Sequence, residues 1–166
     1  MEINDLVKKC ALFEGLKAND VKVFLKKCDQ LTLGAGEILF REGDKSEDAY
    51  IVLEGRLGIR CRLLEKDQST VPLTPVMSYV EPGCIIGEFA LIDSQPRYAE
   101  VFAPVPTRVL VVNHDIFHAG IALRPETGAK LMFNVAKILV DRMRETNEKL
   151  LEIMKFSWKA YGFNKL

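Results

Sequence analysis

Hydrophobic residues near the start of the chain recur every three or four positions. Within residues 1–30 this spacing appears from Asp5 to Phe13 and again after Asn19. Such spacing places side chains on one face of an α-helix. We therefore expect an N-terminal segment of two short helices, with Asn19 as the N-cap of the second.

The pattern changes to strands from about residue 31. Short runs of β-branched and aromatic residues in 31–118 are separated by turn residues such as Gly43-Asp44 and Glu54-Gly55, and residues 66–76 are predicted to form a loop. No helices are predicted between the strands, which argues against a parallel α/β fold. The expected fold class is mainly β: an antiparallel, jelly-roll-like β-roll with flanking N-terminal helices and a long C-terminal helix.

Residues 119–158 are predicted to be helical, with Pro125 in a first helical turn and a tail at 159–166 left unassigned. Apolar residues follow a four-three repeat with one polar member, which is typical of a coiled-coil seam. The seam residues are Met132, Ala136, Leu139, Met143, Thr146, Leu150 and Ile153. We expect this helix to form a homodimer; the alternative is a helix that packs only on its own domain. Further apolar residues off the seam are placed to contact the β-roll: Leu131, Val135, Ile138 and Val140.

Composition narrows the class of function. The 166 residues include 23 Lys+Arg and 23 Asp+Glu, a balance that argues against a generally basic, nucleic-acid-binding surface. The first residues lack a signal-peptide layout, and no apolar run approaches the roughly 20 residues of a membrane span. We expect a cytoplasmic protein with no membrane partner. Scattered cysteines without a C-x-x-C pair favour reduced thiols over a zinc or iron–sulfur site. They are Cys10, Cys28, Cys61 and Cys84.

The chain contains two histidines, His114 and His118, whose spacing can place both on one helical face. Two histidines are too few for the usual ligand sets of a metal enzyme on a β-roll. The favoured interpretation is a turn that caps a short helix at 115–120. We expect no metal site, no catalytic site and no cofactor.

The segment 87–101, GEFALIDSQPRYAEV, places two opposite charges in an otherwise apolar strand region. Gly87 permits torsions that other residues resist, and the next four residues are expected to form one tight turn whose N–H groups cradle an anion. Arg97, nine residues after Glu88, can offer paired donors to a phosphate, and Glu88 can accept from a sugar hydroxyl. The residues alone leave open an internal Glu88–Arg97 salt bridge.

This segment closely resembles the phosphate-binding cassette of the cyclic-nucleotide-binding domain family, which includes bacterial catabolite activators, protein kinase A regulatory subunits and cyclic-nucleotide-gated channels. The resemblance also covers ALFEGL at 11–16, the strand region at 38–59 and the long C-terminal helix. It therefore extends over nearly the whole chain. It implies an eight-stranded β-roll flanked by helices.

The resemblance implies a role for each residue of the segment. Arg97 would bind the equatorial exocyclic oxygen of a cyclic phosphate, and Glu88 would accept a hydrogen bond from the ribose 2′-OH. The cradle would be completed by backbone N–H groups near Phe89, Ala90 and Ala99.

The resemblance also implies contacts with the base. In activator-type members a Thr-Ser pair on the long helix contacts the adenine, and the matching positions are Thr146 and Asn147. The alternative for Thr146 is a hydrogen bond to a carbonyl of its own helix. The residue after the arginine is Tyr98, which we also expect among the ligand-binding residues. A threonine at this position accompanies cGMP preference in the family. Tyr98 is too large to mimic that hydroxyl donor, which weakens cGMP and favours cAMP.

The resulting prediction is a cyclic-nucleotide-binding sensor, with no catalytic activity, that signals through its C-terminal helix. The expected partners are cAMP, a second copy of the chain and an unidentified protein effector. No helix-turn-helix follows the long helix, so no direct nucleic-acid binding is expected. The alternative function is a β-roll protein-interaction module whose pocket is empty or holds another small anion.

Overall fold

In the described part of the chain, eight short strands form two four-stranded antiparallel sheets. The computed structural model describes residues 9–61 and 75–160. The strand order is β1-β8-β3-β6 in the first sheet and β2-β7-β4-β5 in the second. The strands are β1 (Gln30–Leu33), β2 (Ile38–Phe40), β3 (Ala49–Glu54), β4 (Leu57–Arg60), β5 (Val76–Val80), β6 (Ile85–Ile86), β7 (Glu100–Phe102) and β8 (Thr107–Val112). This arrangement confirms the predicted β-roll; of the predicted loop at 66–76, residues 66–74 lie outside the described residues.

Helices flank the strands on the N- and C-terminal sides. The helices are α1 (Ala18–Leu25), α2 (His114–Leu123) and α3 (Pro125–Ala160), and 3-10 turns cover Ala11–Phe13 and Glu88–Leu91. The predicted β-roll segment 31–118 therefore ends in α2, after the last strand. The predicted tail lies partly in α3, and its residues 161–166 are outside the described part of the chain.

The start of α1 differs from the prediction. The N-cap is Lys17, without a side-chain cap hydrogen bond, and Asn19 lies inside the first turn. The Lys17 carbonyl already accepts from the N–H groups of Asp20 and Val21, so the chain turns two residues earlier than expected. Of the helix expected from Asp5 to Phe13, the described part contains only the 3-10 turn, and residues 5–8 lie outside it.

Strand β3 supplies side chains to two separate cores. The strand alternates with period two, so neighbouring side chains point to opposite faces of the first sheet. On the face covered by the helices, Ala49, Ile51 and Leu53 join one core cluster. On the other face, Tyr50 and Val52 join the cluster between the two sheets. This double burial explains why the strand reads as an unbroken apolar run.

The long helix α3 divides its apolar residues between the β-roll and solvent. Leu131, Val135 and Ile138 are buried in the helix-covered core, as the off-seam residues were expected to be. Val140 departs from that expectation and is 40% exposed. The seam faces away from the β-roll, since all its residues are exposed except the half-buried Leu139. Among the described residues, no helix is long and apolar enough to cross a membrane.

Polar contacts tie the first half of α3 to the N-terminal segment. The buried side-chain amide of Asn134 donates to the carbonyl oxygens of Leu12 and Glu14, each at 2.9 Å. Lys137 Nζ lies 2.6 Å from Glu14 Oε2. These contacts satisfy carbonyls that the short 3-10 turn leaves without partners, and they hold this turn against the helix.

The cysteines are free thiols. Burial raises the pKa of Cys10 and of Cys28 to about 12 in each case, so both thiols stay protonated and unreactive at neutral pH.

The turn between β3 and β4 requires a glycine at position 55. Gly55 has a φ of 76°, and a Cβ there would lie 2.6 Å from Thr107 Oγ1 and closer still to the carbonyl oxygen of Pro106. The Thr107 hydroxyl accepts from the Arg56 N–H at 3.2 Å and is buried. The turn and the start of β8 therefore pack backbone to backbone, which only a residue without a Cβ allows.

We predict that Gly55→Ala destabilises the protein more than Gly36→Ala. Both residues have positive φ, but nothing lies within 4 Å of a Cβ added at Gly36. Backbone strain alone costs about 1 kcal/mol, and overpacking at Gly55 adds about 1–3 kcal/mol. Urea unfolding of the two variants measures the difference. Equal losses of unfolding free energy would contradict the role given to the Gly55 contact.

Candidate functional site

The segment 87–101 begins with a left-handed glycine that leads into the expected tight turn. Gly87 has φ 79° and ψ 15°, and the following Glu88–Leu91 forms one 3-10 turn. A Cβ on Gly87 would lie 2.8 Å from Arg97 Nη1 and 3.2 Å from the Asp48 carbonyl oxygen. Glycine is required here for its torsion and for the close approach of the guanidinium.

The Arg97 side chain is 6% exposed and is held by three neutral oxygen acceptors. Its Nε donates to Ser46 Oγ at 2.9 Å, its Nη1 to the Gly87 carbonyl oxygen at 3.3 Å, and its Nη2 to the Asp48 carbonyl oxygen. A guanidinium has five N–H groups, so these three bonds leave two, one on each terminal nitrogen. Two such N–H groups form the fork that binds paired phosphate oxygens.

Backbone pairing with the loop after β2 fixes Arg97 in place. The Gly43 N–H donates to the Arg97 carbonyl oxygen, and the Arg97 N–H donates to the Asp44 carbonyl oxygen, both at 2.8 Å. Gly43 has a φ of 86°, so the predicted Gly43-Asp44 turn supplies the tight bend that this pairing needs. The same loop carries Ser46 and Asp48, which hold the guanidinium.

The electrostatic setting of Arg97 favours an anion. Burial lowers the pKa of the guanidinium, and Tyr50 and Asp48 oppose that shift. The Arg97 Cζ also lies 4.3 Å from the centre of the Phe40 ring, whose face attracts cations. The neutral acceptors satisfy N–H groups but do not cancel the positive charge. The buried cation is therefore only partly compensated.

Glu88 does not form the internal salt bridge with Arg97 that the sequence left open. The Glu88 side chain is 4% exposed, and its Oε1 lies 3.4 Å from Arg142 Nε on α3. Arg142 Nη2 also donates to the Ile85 carbonyl oxygen at 3.0 Å. The two charges of the segment thus have separate partners, and Glu88 connects the β-roll to the long helix.

Arg142 is a site residue that the sequence reasoning missed. It lies four residues before Thr146, and residues four apart share one face of a helix. A buried glutamate in the β-roll needs a cation, and Arg142 lies on the helix face of the predicted base contact Thr146. Together these two features could have identified Arg142 from the sequence. The Thr146 hydroxyl donates to the Arg142 carbonyl oxygen at 2.8 Å, so in this structure it bonds to its own helix. Thr146 and Asn147 are both exposed.

The expected N–H cradle is only partly available. The Ala90 N–H donates to the Gly87 carbonyl oxygen at 3.1 Å within the turn, so this donor is already used. The Phe89 side chain is 51% exposed at the surface of the turn, and Ala99 is buried near Arg97. The N–H groups of Phe89 and Ala99 remain the candidate donors.

The Tyr98 side chain lies on the opposite side of the segment from its neighbours. Arg97 and Ala99 are buried while Tyr98 between them is 70% exposed, because successive side chains of an extended segment point to opposite sides. Burial raises the pKa of the Cys61 thiol, and a hydrogen bond with the Tyr98 side chain opposes that rise. A contact between Tyr98 and the ligand stays a prediction.

The histidines lie on α2, beside the turn at 88–91. Asn113 is the N-cap of this helix and accepts from the N–H of Asp115 at 3.0 Å, which confirms the predicted capping turn. Within residues 9–61 and 75–160, no group of three or more metal-ligating side chains occurs.

The fold and this site define a family. Residues 30–122, more than half of the chain, match the family model described as the cyclic nucleotide-binding domain. The chain belongs to the cyclic nucleotide-binding domain family. The strands, the 3-10 turn at 88–91 and the buried Arg97 all lie within the matched residues.

Two similar proteins illustrate the range of relatives. It is 21% identical over 152 residues to a CRP-like cAMP-activated global transcriptional regulator of Mycobacterium tuberculosis, covering 92% of this chain and 63% of the relative. The chain thus spans less than two thirds of that relative's length. A cyclic nucleotide-binding domain from Methylobacillus flagellatus superposes with a TM-score of 0.77 at 25% identity, over 90% of this chain and 81% of the other.

A second similar structure contains a nucleotide. The regulatory domain of Toxoplasma gondii PKA, crystallised with cAMP, has a TM-score of 0.61 and 27% identity to this chain. The likeness covers 70% of this chain and 42% of the other.

We predict that Arg142→Met lowers the free energy of unfolding by about 1–2 kcal/mol, because it leaves the Glu88 carboxylate buried without its cation. The double variant with Glu88→Gln should recover part of that loss, giving a coupling energy of about 1 kcal/mol. Urea unfolding of the four proteins completes the cycle.

Arg144→Met is the matched control, since Arg144 is 74% exposed and lies 3.9 Å from Asp141. It should cost less than about 0.5 kcal/mol. A coupling energy of zero between Glu88 and Arg142 would show that the observed ion pair contributes nothing to stability.

Proposed function

We propose that the chain is a non-enzymatic sensor that binds cAMP at the segment 87–101. The observation that carries this proposal is the buried, partly compensated Arg97 guanidinium, which keeps two N–H groups beside a left-handed glycine. A cyclic phosphate carries one negative charge and two exocyclic oxygens. It would complete the hydrogen bonding of Arg97 and cancel its charge.

Glu88 supplies the second contact. A carboxylate repels a phosphate but accepts from a neutral hydroxyl, so the ribose 2′-OH is its natural partner. The carboxylate is already bound to Arg142, whose Nε lies 3.4 Å away. A ligand hydroxyl at Glu88 would therefore share this carboxylate with the long helix.

The shared carboxylate offers a route for the signal. Ligand at Glu88 changes the bonding of Arg142, and Arg142 lies one turn before Thr146 and Asn147, the proposed adenine contacts. Binding would favour the position of α3 in which all these contacts are made together. The Thr146 hydroxyl can keep its bond to the Arg142 carbonyl oxygen, because its oxygen lone pairs can accept from the amino group of the adenine.

The outward position of Tyr98 bears on ligand choice. The Tyr98 side chain is 70% exposed, so its hydroxyl group does not point into the site beside Arg97. A contact with the guanine amino group from that position is therefore lacking, which favours cAMP over cGMP.

The seam of α3 is the proposed homodimer surface. Met143, Leu150 and Ile153 are 59%, 53% and 63% exposed, and they follow the four-three repeat. A second copy would bury these side chains and bring Thr146 to the interface, beside the proposed base site. A cytoplasmic location fits the free thiols of the chain.

We predict that titration calorimetry detects cAMP binding to the wild-type protein, with weaker binding of cGMP. Arg97→Lys should weaken cAMP binding at least about tenfold, because lysine cannot present a planar fork to two oxygens. Arg108→Lys is the matched control, since Arg108 pairs with Glu54 at the far end of β3 and should leave binding unchanged.

Absence of heat with either nucleotide at high micromolar concentration would overturn the sensor proposal. It would leave the alternative of a β-roll interaction module that holds no nucleotide. Equal losses of binding in the Arg97 and Arg108 variants would instead point to a general charge effect rather than a phosphate contact.

We predict that sedimentation equilibrium finds a dimer and that Leu150→Lys raises its dissociation constant at least about tenfold, because a charge is costly in an apolar seam. Leu151→Lys is the control: it is 54% exposed, against 53% for Leu150, but it lies off the seam. Only monomer, with and without cAMP, would exclude the proposed dimer.

A further inference from the structure

Two imidazole rings contact the carbonyl end of the turn at 88–91. His114 Nδ1 lies 3.0 Å from the Ala90 carbonyl oxygen, and His118 Nε2 lies 2.9 Å from the Leu91 carbonyl oxygen. The ring centres are 4.2 Å apart. The histidines are four residues apart on α2, so both rings leave the same face of that helix.

The acceptors determine where each ring carries its proton. A carbonyl oxygen only accepts hydrogen bonds, so the nitrogen that faces it must hold a hydrogen. Neutral His114 is therefore the Nδ1–H tautomer and neutral His118 the Nε2–H tautomer. The two rings use opposite nitrogens to reach consecutive carbonyls, as the geometry of one helical turn against one 3-10 turn requires.

These hydrogen bonds satisfy groups that the turn itself cannot. A 3-10 turn of four residues leaves its last carbonyls without partners inside the turn. The Phe89 carbonyl accepts from the N–H groups of Ile92 and Asp93, both at 2.9 Å, but the Ala90 and Leu91 carbonyls are met by the imidazoles. Because each peptide unit is planar, holding these carbonyls fixes the two peptide units that end the turn, one of which carries the Ile92 N–H that bonds back to the Phe89 carbonyl.

The same end of α2 also reaches Arg97. The side-chain amide of Asn113 donates to Asp48 Oδ1 at 2.9 Å, and the Asp48 backbone carbonyl accepts from Arg97 Nη2. Phe117 anchors the helix, since it is fully buried and packs edge-on against the His118 ring. The first turn of α2 thus supports both the guanidinium and the 3-10 turn.

We infer that His114 and His118 are positioning residues for ligand binding: their N–H groups hold the Ala90 and Leu91 carbonyls, which stabilises the turn in the conformation that offers the Phe89 N–H, its candidate donor, to the anion. This inference rests on the proposed function of the segment 87–101. Neither histidine touches the ligand in this arrangement. Their effect passes through the backbone of the turn.

Two pairs of variants separate hydrogen bonding from packing. His114→Asn with His118→Gln keeps an N–H donor at each position, since the asparagine amide matches Nδ1 and the glutamine amide matches Nε2. His114→Leu with His118→Met removes both donors. We expect cAMP affinity within about threefold of wild type for the first pair and about five- to thirtyfold weaker for the second.

A measurement without ligand tests the geometry directly. Nitrogen-15 NMR of the imidazoles should find the Nδ1–H tautomer at His114 and the Nε2–H tautomer at His118 in the free protein. The opposite tautomer at either ring would overturn the inference. If the Leu/Met pair does not fold, the single variant His118→Met, at an exposed residue, replaces it with an expected loss of about three- to tenfold.

The outcomes distinguish this inference from the function on which it rests. Wild-type binding of cAMP with equal affinity in the donor-free variant overturns the positioning role and leaves the sensor function standing. Equal weakening in both pairs also overturns it, since packing rather than the N–H donors would then matter. No binding by wild type overturns both, even where the NMR tautomers agree.

Discussion

The charged site depends on how Arg97 is buried. A guanidinium removed from water must satisfy its N–H groups, and here neutral oxygens of Ser46, Gly87 and Asp48 accept from it. These neutral acceptors occupy three of the five N–H groups and leave the charge of Arg97 in place. The carboxylates of Asp48, Asp44 and Glu88 also act on that charge. The loop after β2, the left-handed glycine and the strand that follows Arg97 all converge on this one cation. Their conformations are therefore coupled to its position.

The second charge of the segment faces in a different direction. Glu88 meets Arg142, so the β-roll and the long helix share an ion pair at the middle of α3. Nearer the start of α3, Asn134 binds the N-terminal turn. One helix is thus attached to both the N-terminal segment and the proposed ligand site. In the proposed function, this double attachment would let a change at the ligand site shift the whole helix.

Much of the fold was predictable because its signals are local. The short β-branched and aromatic runs, the turn at Gly43-Asp44 and the tight turn after Gly87 are short-range patterns, and the structure contains each of them. The start of α1 was misplaced because a tertiary contact overrides the capping preference: Asp20, in its first turn, pairs with Arg124 and accepts from Thr127 across the fold. The direction of the Tyr98 side chain could not be predicted either, because it depends on which neighbouring residues of the segment are buried.

The sequence by itself determined the β-roll, the long helix with its exposed seam, and the segment in which Gly87, Glu88 and Arg97 occur, because each follows from spacing and residue type. Only the tertiary structure decided the partners of the two charges. Arg97 reaches residues about fifty positions earlier, and Glu88 reaches Arg142 on α3. The tertiary structure also placed the two histidines beside the turn at 88–91. Contacts between distant segments depend on how the sheets and helices pack, and no local pattern encodes that packing.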